Sequence, residues 1–252
     1  MKKFLKAILL LYVFTCAFFN FRQFGFAMTL DLTNYQAGTV INPTDNDTAS
    51  LTNSFSSSTI TAGDAVYNRI YGKSYIDNSD IAISDLRYLK MLHYNFDGNI
   101  QVGEMIVNKS IADSTLAVFK ALFNAKYQIR QMHLVDDFWY IDSSSTDDVC
   151  MLVDNTSCFN YRAVQGTSKI SKHALGLAID INPHENPYAK VLSDGSLSMF
   201  KPELYADGYL TSRSSKIHAI TTSDTAYKLF ISAGFSWGGN WNSVKDFQHF
   251  EK

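Results

Sequence analysis

The segment ISKHALGLAIDINP, residues 170–183, places the strongest constraint on the fold. Aliphatic side chains alternate with small or acidic ones along it, at Leu177, Ile179 and Ile181. This alternation predicts a short strand over 177–181 that buries the aliphatic side chains and projects Asp180 from its other, open face. Gly176 permits the tight turn that must precede such a strand.

His173 lies just before this strand, so its imidazole and the Asp180 carboxylate can converge around the turn. These two groups make half of a metal site, because catalytic zinc takes three protein ligands and a water. Near the C-terminus, KDFQHF contains His249 with Asp246 three residues earlier, and a turn or short helix would place both on one face. An imidazole ligand beside a free carboxylate is what metal-assisted hydrolysis needs, because a base must take the proton of the attacking water. The residues therefore predict a hydrolytic metal site.

Composition and charge are those of an ordinary globular chain. Of the 252 residues, 46% are hydrophobic, and the formal net charge is −2. This length supports a sizeable hydrophobic core. There is no basic cluster beyond the N-terminus, so we expect no nucleic-acid partner. Nothing in the sequence indicates an obligate partner subunit, so we expect a monomer.

The N-terminus has the pattern of a secretory signal. Three lysines precede an apolar run over 7–21, which is shorter than the roughly 20 residues that a membrane-spanning helix needs. Gly25 and Ala27 supply small residues where signal peptidase cleaves. We predict a signal peptide over residues 1–27, an extracytoplasmic location in the cell envelope, and no stable membrane insertion after cleavage. The alternative is an uncleaved N-terminal anchor.

The rest of the chain divides by composition at residue 63. Thr, Ser, Asn and Asp dominate residues 28–63 without a sustained apolar period, so this segment is interpreted as a flexible tether. Aromatic and branched aliphatic residues are dense over 64–252, with no internal repeat and no second linker. This density favours one folded domain over 64–252.

Helices and strands mix in this domain without regular alternation. A helix is predicted after Ser110, which can cap it, because apolar side chains follow at helical spacing, at Leu116, Phe119, Phe123 and Tyr127. A second helix is predicted from Ser223 or Asp224 to Gly234. Further short strands are predicted over 128–135 and 235–237. The fold class is therefore α+β, with a small antiparallel sheet flanked by helices and the metal site in a cleft on the open face of the sheet.

Two cysteines remain after the predicted cleavage, Cys150 and Cys158. In an oxidising compartment they can close a short loop as a disulfide. The alternative is two unrelated thiols, and neither alternative carries chemistry.

The segment SKHALGLAID is similar to a Ser-x-His-x-x-Gly-x-Ala-x-Asp signature. That signature belongs to the zinc peptidases that include D-alanyl-D-alanine carboxypeptidases and L-alanyl-D-glutamate endopeptidases of bacterial cell walls and phage endolysins. GFSWGGNWNSVKDFQHFE resembles the C-terminal block of the same family, in which Trp-Gly-Gly precedes an acid and a histidine three residues apart. The resemblance extends upstream through DNTSCFNYR and, more loosely, SDLRYLKMLHYNFDG.

The resemblance implies specific roles for six residues. It implies Zn²⁺ held by three ligands, which are His173, Asp180 and His249. It implies Asp246 as the general base and Arg162 as the group that polarises the scissile carbonyl or holds the developing oxyanion, a role that suits a fixed, always charged guanidinium. Ser171 is expected to orient the loop or a ligand.

The function that the resemblance implies is a secreted zinc metallopeptidase that cuts peptidoglycan stem peptides, as a D,D-carboxypeptidase or an L-Ala-D-Glu endopeptidase. An aspartate at 246 matches the endopeptidase branch, because the carboxypeptidase branch has glutamate there. One alternative is a non-catalytic, zinc-containing cell-wall-binding module on the same fold, since some relatives, such as the hedgehog signalling domain, act by binding. Another is a serine-type peptidase, because Ser198 and Lys201 match Ser-x-x-Lys, but no Lys-Thr-Gly triplet accompanies them.

Overall fold

The computed structural model describes residues 30–42 and 51–252. The predicted signal peptide, residues 1–27, lies outside the described residues. Within those residues, none of the helices combines the length and the apolar character that a membrane crossing requires.

Four α-helices and ten short strands make up the described part of the chain. The helices are α1 (Ala65–Ile70), α2 (Ala112–Asn124), α3 (Ser143–Leu152) and α4 (Thr225–Ser232). All strand pairs are antiparallel, and the strands form three small sheets. The predicted α+β class is confirmed for these residues, although three sheets replace the single sheet that the sequence suggested.

The first sheet has the order β1-β4-β3-β2. Its strands are β1 (Val40–Ile41), β2 (Ser56–Thr59), β3 (Leu86–Tyr94) and β4 (Ile100–Asn108). The long hairpin of β3 and β4 pairs Leu86 with Asn108 at one end and Tyr94 with Ile100 at the other. This hairpin forms the framework on which the rest of the fold packs.

Two three-stranded sheets follow. One has the order β5-β10-β8, with β5 (Ala178–Asp180), β8 (Ser236–Trp237) and β10 (His249–Glu251). The other has the order β7-β6-β9, with β6 (Tyr188–Val191), β7 (Leu197–Met199) and β9 (Val244–Asp246). The strands predicted over 177–181 and 235–237 are confirmed as β5 and β8.

The strand predicted over 128–135 is not a regular strand. Its backbone pairs with several partners in turn: the Ile129 amide donates to the Tyr94 carbonyl, and the Met132 carbonyl accepts from Glu104. The His133 amide donates to a side-chain oxygen, Oδ1 of Asn155, at 2.9 Å. Because no single neighbour runs alongside it, the segment forms isolated bridges, from Gln128 to Tyr94 and from Gln131 to Asn155.

The two helix predictions have different outcomes. Helix α4 begins after Asp224, whose side chain accepts a hydrogen bond from the Ala226 amide at 2.7 Å, as predicted. Helix α2 has no side-chain cap at its start, because Ser110 instead hydrogen-bonds Asn108. Its buried face is also rotated from the prediction towards Val118, Phe119, Leu122 and Phe123.

The larger core lies between the sheets and helices α2 and α4. The Phe230 ring is stacked on Phe250 of β10 at 4.3 Å and meets Phe119 of α2 edge-on at 6.2 Å. The strand residues that face this core include Leu89, Met91, Met105, Val107 and Ile179. A smaller core on the opposite side contains Ile106 and Phe159 and is covered by α1. The larger core therefore covers one side of the first and second sheets, and the other side carries the smaller core together with polar groups.

The interpretation of residues 28–63 as a flexible tether is wrong for the part of that segment that the structure describes. Strands β1 and β2 come from it and pair with β4 and β3 of the first sheet. Leu32, Leu51 and Phe55 from the same segment are buried in the larger core. These apolar residues are widely spaced among Ser and Thr, so the sequence has no apolar period. Each of them nevertheless packs in the core that contains residues of β3, β4 and α2.

We predict that Phe55→Ala destabilises the fold by about 3–5 kcal/mol, because the side chain is 7% exposed and packs edge-on against Phe123 at 5.8 Å. Urea denaturation measures the change as a shift in midpoint. Val40→Ala is the control from the same segment, since Val40 is 41% exposed and should change stability by less than about 0.5 kcal/mol. Equal, small effects for both variants would contradict the packed segment.

Candidate metal centre

His173, Asp180 and His249 lie together where β5 pairs with β10. His249 is directly opposite Asp180 in the strand register, and all three residues are buried. Nε2 of His173 is 3.2 Å from Nδ1 of His249 and 3.2 Å from Oδ2 of Asp180. Nδ1 of His249 is 3.0 Å from Oδ1 of Asp180. Ligands of a tetrahedral zinc ion, about 2.0–2.1 Å from the metal, lie roughly 3.3 Å apart, so this cluster can hold a metal ion.

Hydrogen bonds on the outer sides of the imidazoles fix which nitrogens face the cluster. Nδ1 of His173 donates to the Cys158 carbonyl at 2.7 Å, which leaves Nε2 with its lone pair directed inward. Nε2 of His249 faces Glu251 at 3.3 Å, so Nδ1 faces inward. A carbonyl or carboxylate behind each imidazole is the arrangement that orients metal-ligating histidines. The donor set therefore fits a cation.

In the metal-free protein, a proton on His249 supplies the positive charge that a bound cation would supply. Burial lowers the pKa of His249, but hydrogen bonds to Asp180 and Glu251 outweigh this and raise the pKa to about 10. Burial also acts on Asp180, yet the two imidazoles hold the pKa of its carboxyl well below the usual range. Charged His249 and ionised Asp180 thus stabilise each other in a buried site, where either charge alone would be unfavourable.

Asn108 and Gly176 shape the turn that carries His173. Gly176 has φ +64°, and a Cβ on it would lie 2.6 Å from the Asn108 amide nitrogen. That amide donates to the Gly176 carbonyl at 2.8 Å, and the Asn108 side chain donates to the Leu175 carbonyl at 3.0 Å. The predicted turn at Gly176 is confirmed, and the end of β4 holds it in place.

Asp246 lies at the end of β9, and His249 begins β10. A two-residue turn joins them, so the pair lies on a turn between two sheets and not on a helix. Oδ1 of Asp246 is buried without a hydrogen-bond partner. Burial raises the pKa of Asp246 to about 7, against the opposing attraction of His249. The site therefore contains a buried carboxyl that can exchange a proton near neutral pH.

The Trp-Gly-Gly sequence makes room for this turn. A Cβ on Gly238 would lie 2.6 Å from the Asp246 carbonyl oxygen and 3.3 Å from Cβ of His249. A Cβ on Gly239 would collide with the ring of Trp237. The indole Nε1 of Trp237 donates to the Phe247 carbonyl at 2.9 Å, which fixes the turn from the core side. These contacts explain why small residues follow a tryptophan here.

Arg162 is held beside the cluster by an acid on helix α3. Its guanidinium pairs with the Asp147 carboxylate at 2.7 Å, and its Nε is buried without a partner. Burial lowers the pKa of Arg162, but Asp147, Asp180 and Asp246 together raise it above its usual value. The structure therefore brings Arg162 within the electrostatic reach of the cluster and of Asp246.

Ser171 connects Arg162 to the His173 turn. Its Oγ accepts a hydrogen bond from the His173 amide at 3.2 Å, and its own amide donates to the Arg162 carbonyl at 3.1 Å. Ser171 therefore lies between Arg162 and the turn, and its orienting role stays a prediction. The neighbouring acid on α3, Asp148, instead binds Lys201, so Lys201 is engaged away from Ser198.

Other histidines and cysteines lie outside the cluster. His184 donates from Nδ1 to the Leu204 carbonyl at 2.8 Å and is not a fourth member. Cys150 and Cys158 are both buried free thiols, so the disulfide is not formed. The sequence analysis missed two contributors: Asp147, which holds Arg162 and has no motif of its own, and Glu251, which faces His249. Glu251 follows His249 by two residues in one strand, so a search for carboxylates behind a ligating histidine would have found it.

A family model described as D-alanyl-D-alanine carboxypeptidase matches residues 165–252. The match confirms the resemblance noted from the two sequence blocks, and it indicates a peptidase. It contains His173, Asp180, Asp246 and His249, and it begins after Arg162. No curated protein and no solved structure matches the chain significantly.

We predict that zinc binding to the metal-free protein at pH 8 releases about one proton per ion, because His249 is protonated below pH 10 and must lose its Nδ1 proton to bind. Calorimetric titration in buffers of different ionisation enthalpy measures the release. His249→Ala should lose the tight site, whereas His184→Ala should keep it. A binding enthalpy that is the same in every buffer would contradict this assignment.

Proposed function

We propose that the protein is a secreted zinc metallopeptidase that hydrolyses peptide bonds in peptidoglycan stem peptides. The observation that carries this proposal is the convergence of three inward-facing donor atoms beside a buried, unpartnered carboxyl. The family match over the same residues supports the peptidase class and the wall-peptide substrate. Secretion rests on the sequence of residues 1–27.

Zinc suits the donor set. Two imidazole nitrogens and one carboxylate oxygen are typical of catalytic zinc, and three protein ligands leave a position for water or substrate. We assign His173, Asp180 and His249 as the ligands. When bound there, zinc supplies Lewis acidity and activates water at neutral pH.

Asp246 is assigned as the general base. Its pKa of about 7 suits a group that accepts a proton from the attacking water and returns it to the leaving amine. The unpartnered Oδ1 is free to make that hydrogen bond. The two-residue turn to His249 holds the carboxyl close to the ligand without making it a ligand itself.

Arg162 is assigned to the developing oxyanion. Asp147 occupies one edge of the guanidinium, and the unpartnered Nε–H can donate to a substrate oxygen. Because the ion pair is largely buried, the guanidinium is oriented before substrate arrives, which is the condition for strong electrostatic stabilisation.

The scissile bond is either the terminal D-alanine bond or the L-Ala–D-Glu bond. We predict that the purified protein cleaves one of them in isolated muropeptides and that a zinc chelator abolishes the cleavage. Mass spectrometry of the digests identifies the bond, because loss of one alanine and loss of the whole peptide after L-alanine give different masses. Binding of muropeptides without any chelator-sensitive cleavage would favour the non-catalytic binding module.

We predict that Asp246→Ala lowers the rate of hydrolysis by about 10²–10⁴-fold while zinc stays bound, because the variant loses the base and keeps all three ligands. Rates come from timed muropeptide digests, and zinc content from elemental analysis of the same sample. Asp207→Ala, at an exposed aspartate outside the site, is the control and should leave the rate unchanged. Full activity in Asp246→Ala would remove Asp246 from the mechanism.

A further inference from the structure

A polar cleft lies on the face of the first sheet that carries Tyr88, Lys90 and Glu104. It has a volume of about 720 Å³, within the range of pockets that hold small ligands. We call it the Arg69 cleft. The segment 33–37 forms one wall of the cleft, and residues of β3 and β4 form its base. The opposite wall consists of Arg69 of α1 and of Asp137 and Phe138.

The charged groups of the Arg69 cleft neutralise one another. Arg69 binds Glu104 through both terminal nitrogens and Asp137 at 2.8 Å. Glu104, 2% exposed at its side chain, also accepts from the Tyr88 hydroxyl. Lys90 donates to the Tyr35 carbonyl. With two cationic and two anionic side chains, the cleft has no net charge, which favours an uncharged ligand.

Arg69 and Lys90 keep N–H groups that are free to donate to a ligand. Lys90 uses one of its three donors, and the Arg69 guanidinium has five N–H groups, not all of them engaged. Because mutual contacts hold these groups in place, a ligand does not have to order them on binding. Two exposed carboxyamides, Asn34 and Gln36, add further donors and acceptors at the rim.

Aromatic rings complete the lining. Phe138 is half-buried on one wall, where its ring can pack on the C–H face of a ligand, and Tyr35 on the opposite wall packs in part against the larger core. An uncharged ligand with many hydroxyl or amide groups and apolar C–H faces matches this set of partners. We propose that the Arg69 cleft binds a segment of a neutral polysaccharide, the glycan that carries the stem peptide, and this inference rests on the proposed function.

The position of the cleft fits one substrate that reaches both places. Three backbone-bonded steps connect Glu104 of the cleft to Asp180: Glu104 donates to Met132, Thr156 donates to Gln131, and Ser157 pairs with Asp180. At 4.7–4.9 Å for each step, the separation is about 15 Å. Glycan and stem peptide are covalently joined, so a glycan in the cleft would keep its peptide near the metal centre and raise its effective concentration there.

The test is binding of a soluble tetrasaccharide of β-1,4-linked N-acetylglucosamine to the Asp246→Ala protein, measured by calorimetry or by shifts in NMR resonances. Gln36→Ala should weaken binding about two- to ten-fold, the effect of one hydrogen bond. Ala37→Trp should abolish binding, because the indole fills the cleft. Tyr140→Ala is the control, since Tyr140 is 57% exposed and does not line the cleft. Thermal unfolding of each variant verifies that it is folded.

Several outcomes overturn the inference. One is no detectable binding of the tetrasaccharide, and another is binding that Gln36→Ala and Ala37→Trp leave unchanged. A third is competition at this cleft by a sugar-free stem peptide, which would make it a peptide site. The result is separable from the proposed function: tetrasaccharide binding that is sensitive to Ala37→Trp would support the cleft, and absence of muropeptide cleavage by the unsubstituted protein would reject the peptidase.

Discussion

The structure depends on the close approach of two imidazoles and one carboxylate at a buried place. Two imidazole lone pairs and a carboxylate are held about 3 Å apart in a buried place, which is favourable only when a proton or a cation lies between them. Backbone pairing of β5 with β10 enforces this, because the register puts His249 opposite Asp180. A slip of one residue would turn Phe250 towards the cluster and His249 towards the core. Packing of Phe250 on Phe230 therefore fixes the geometry of the His173, Asp180 and His249 cluster from the other side of the sheet.

Much of the site was readable from the sequence because its parts lie in two short blocks. The alternation before Asp180, the glycine turn after His173 and the spacing of Asp246 and His249 are local patterns, and the structure brings all of them together. Cleavage of the signal peptide and the roles of these side chains stay predictions. Strand β5 and helix α4 were also predictable, since alternation and an Asp cap are local signals.

The missed features depend on partners that are distant in the chain. Asp147 has no motif of its own and acquires a role only where α3 passes Arg162. Strand β2 is SSST, four exposed residues whose pairing with β3 leaves no apolar trace in the sequence. Segment 128–135 has residues that favour a strand but no neighbouring strand along its length. Its backbone therefore forms only isolated bridges.

Helix α3 has consecutive acids that hold two different parts of the molecule. Asp147 binds Arg162 beside the metal cluster, and Asp148 binds Lys201 at the start of the loop after β7. Neighbouring helical positions are about 100° apart around the axis, so the helix lies between these two basic side chains. A rotation of α3 that lengthened one ion pair would also disturb the other. Displacement of the Lys201 loop by any bound molecule would in this way change the orientation of the Arg162 guanidinium beside the cluster.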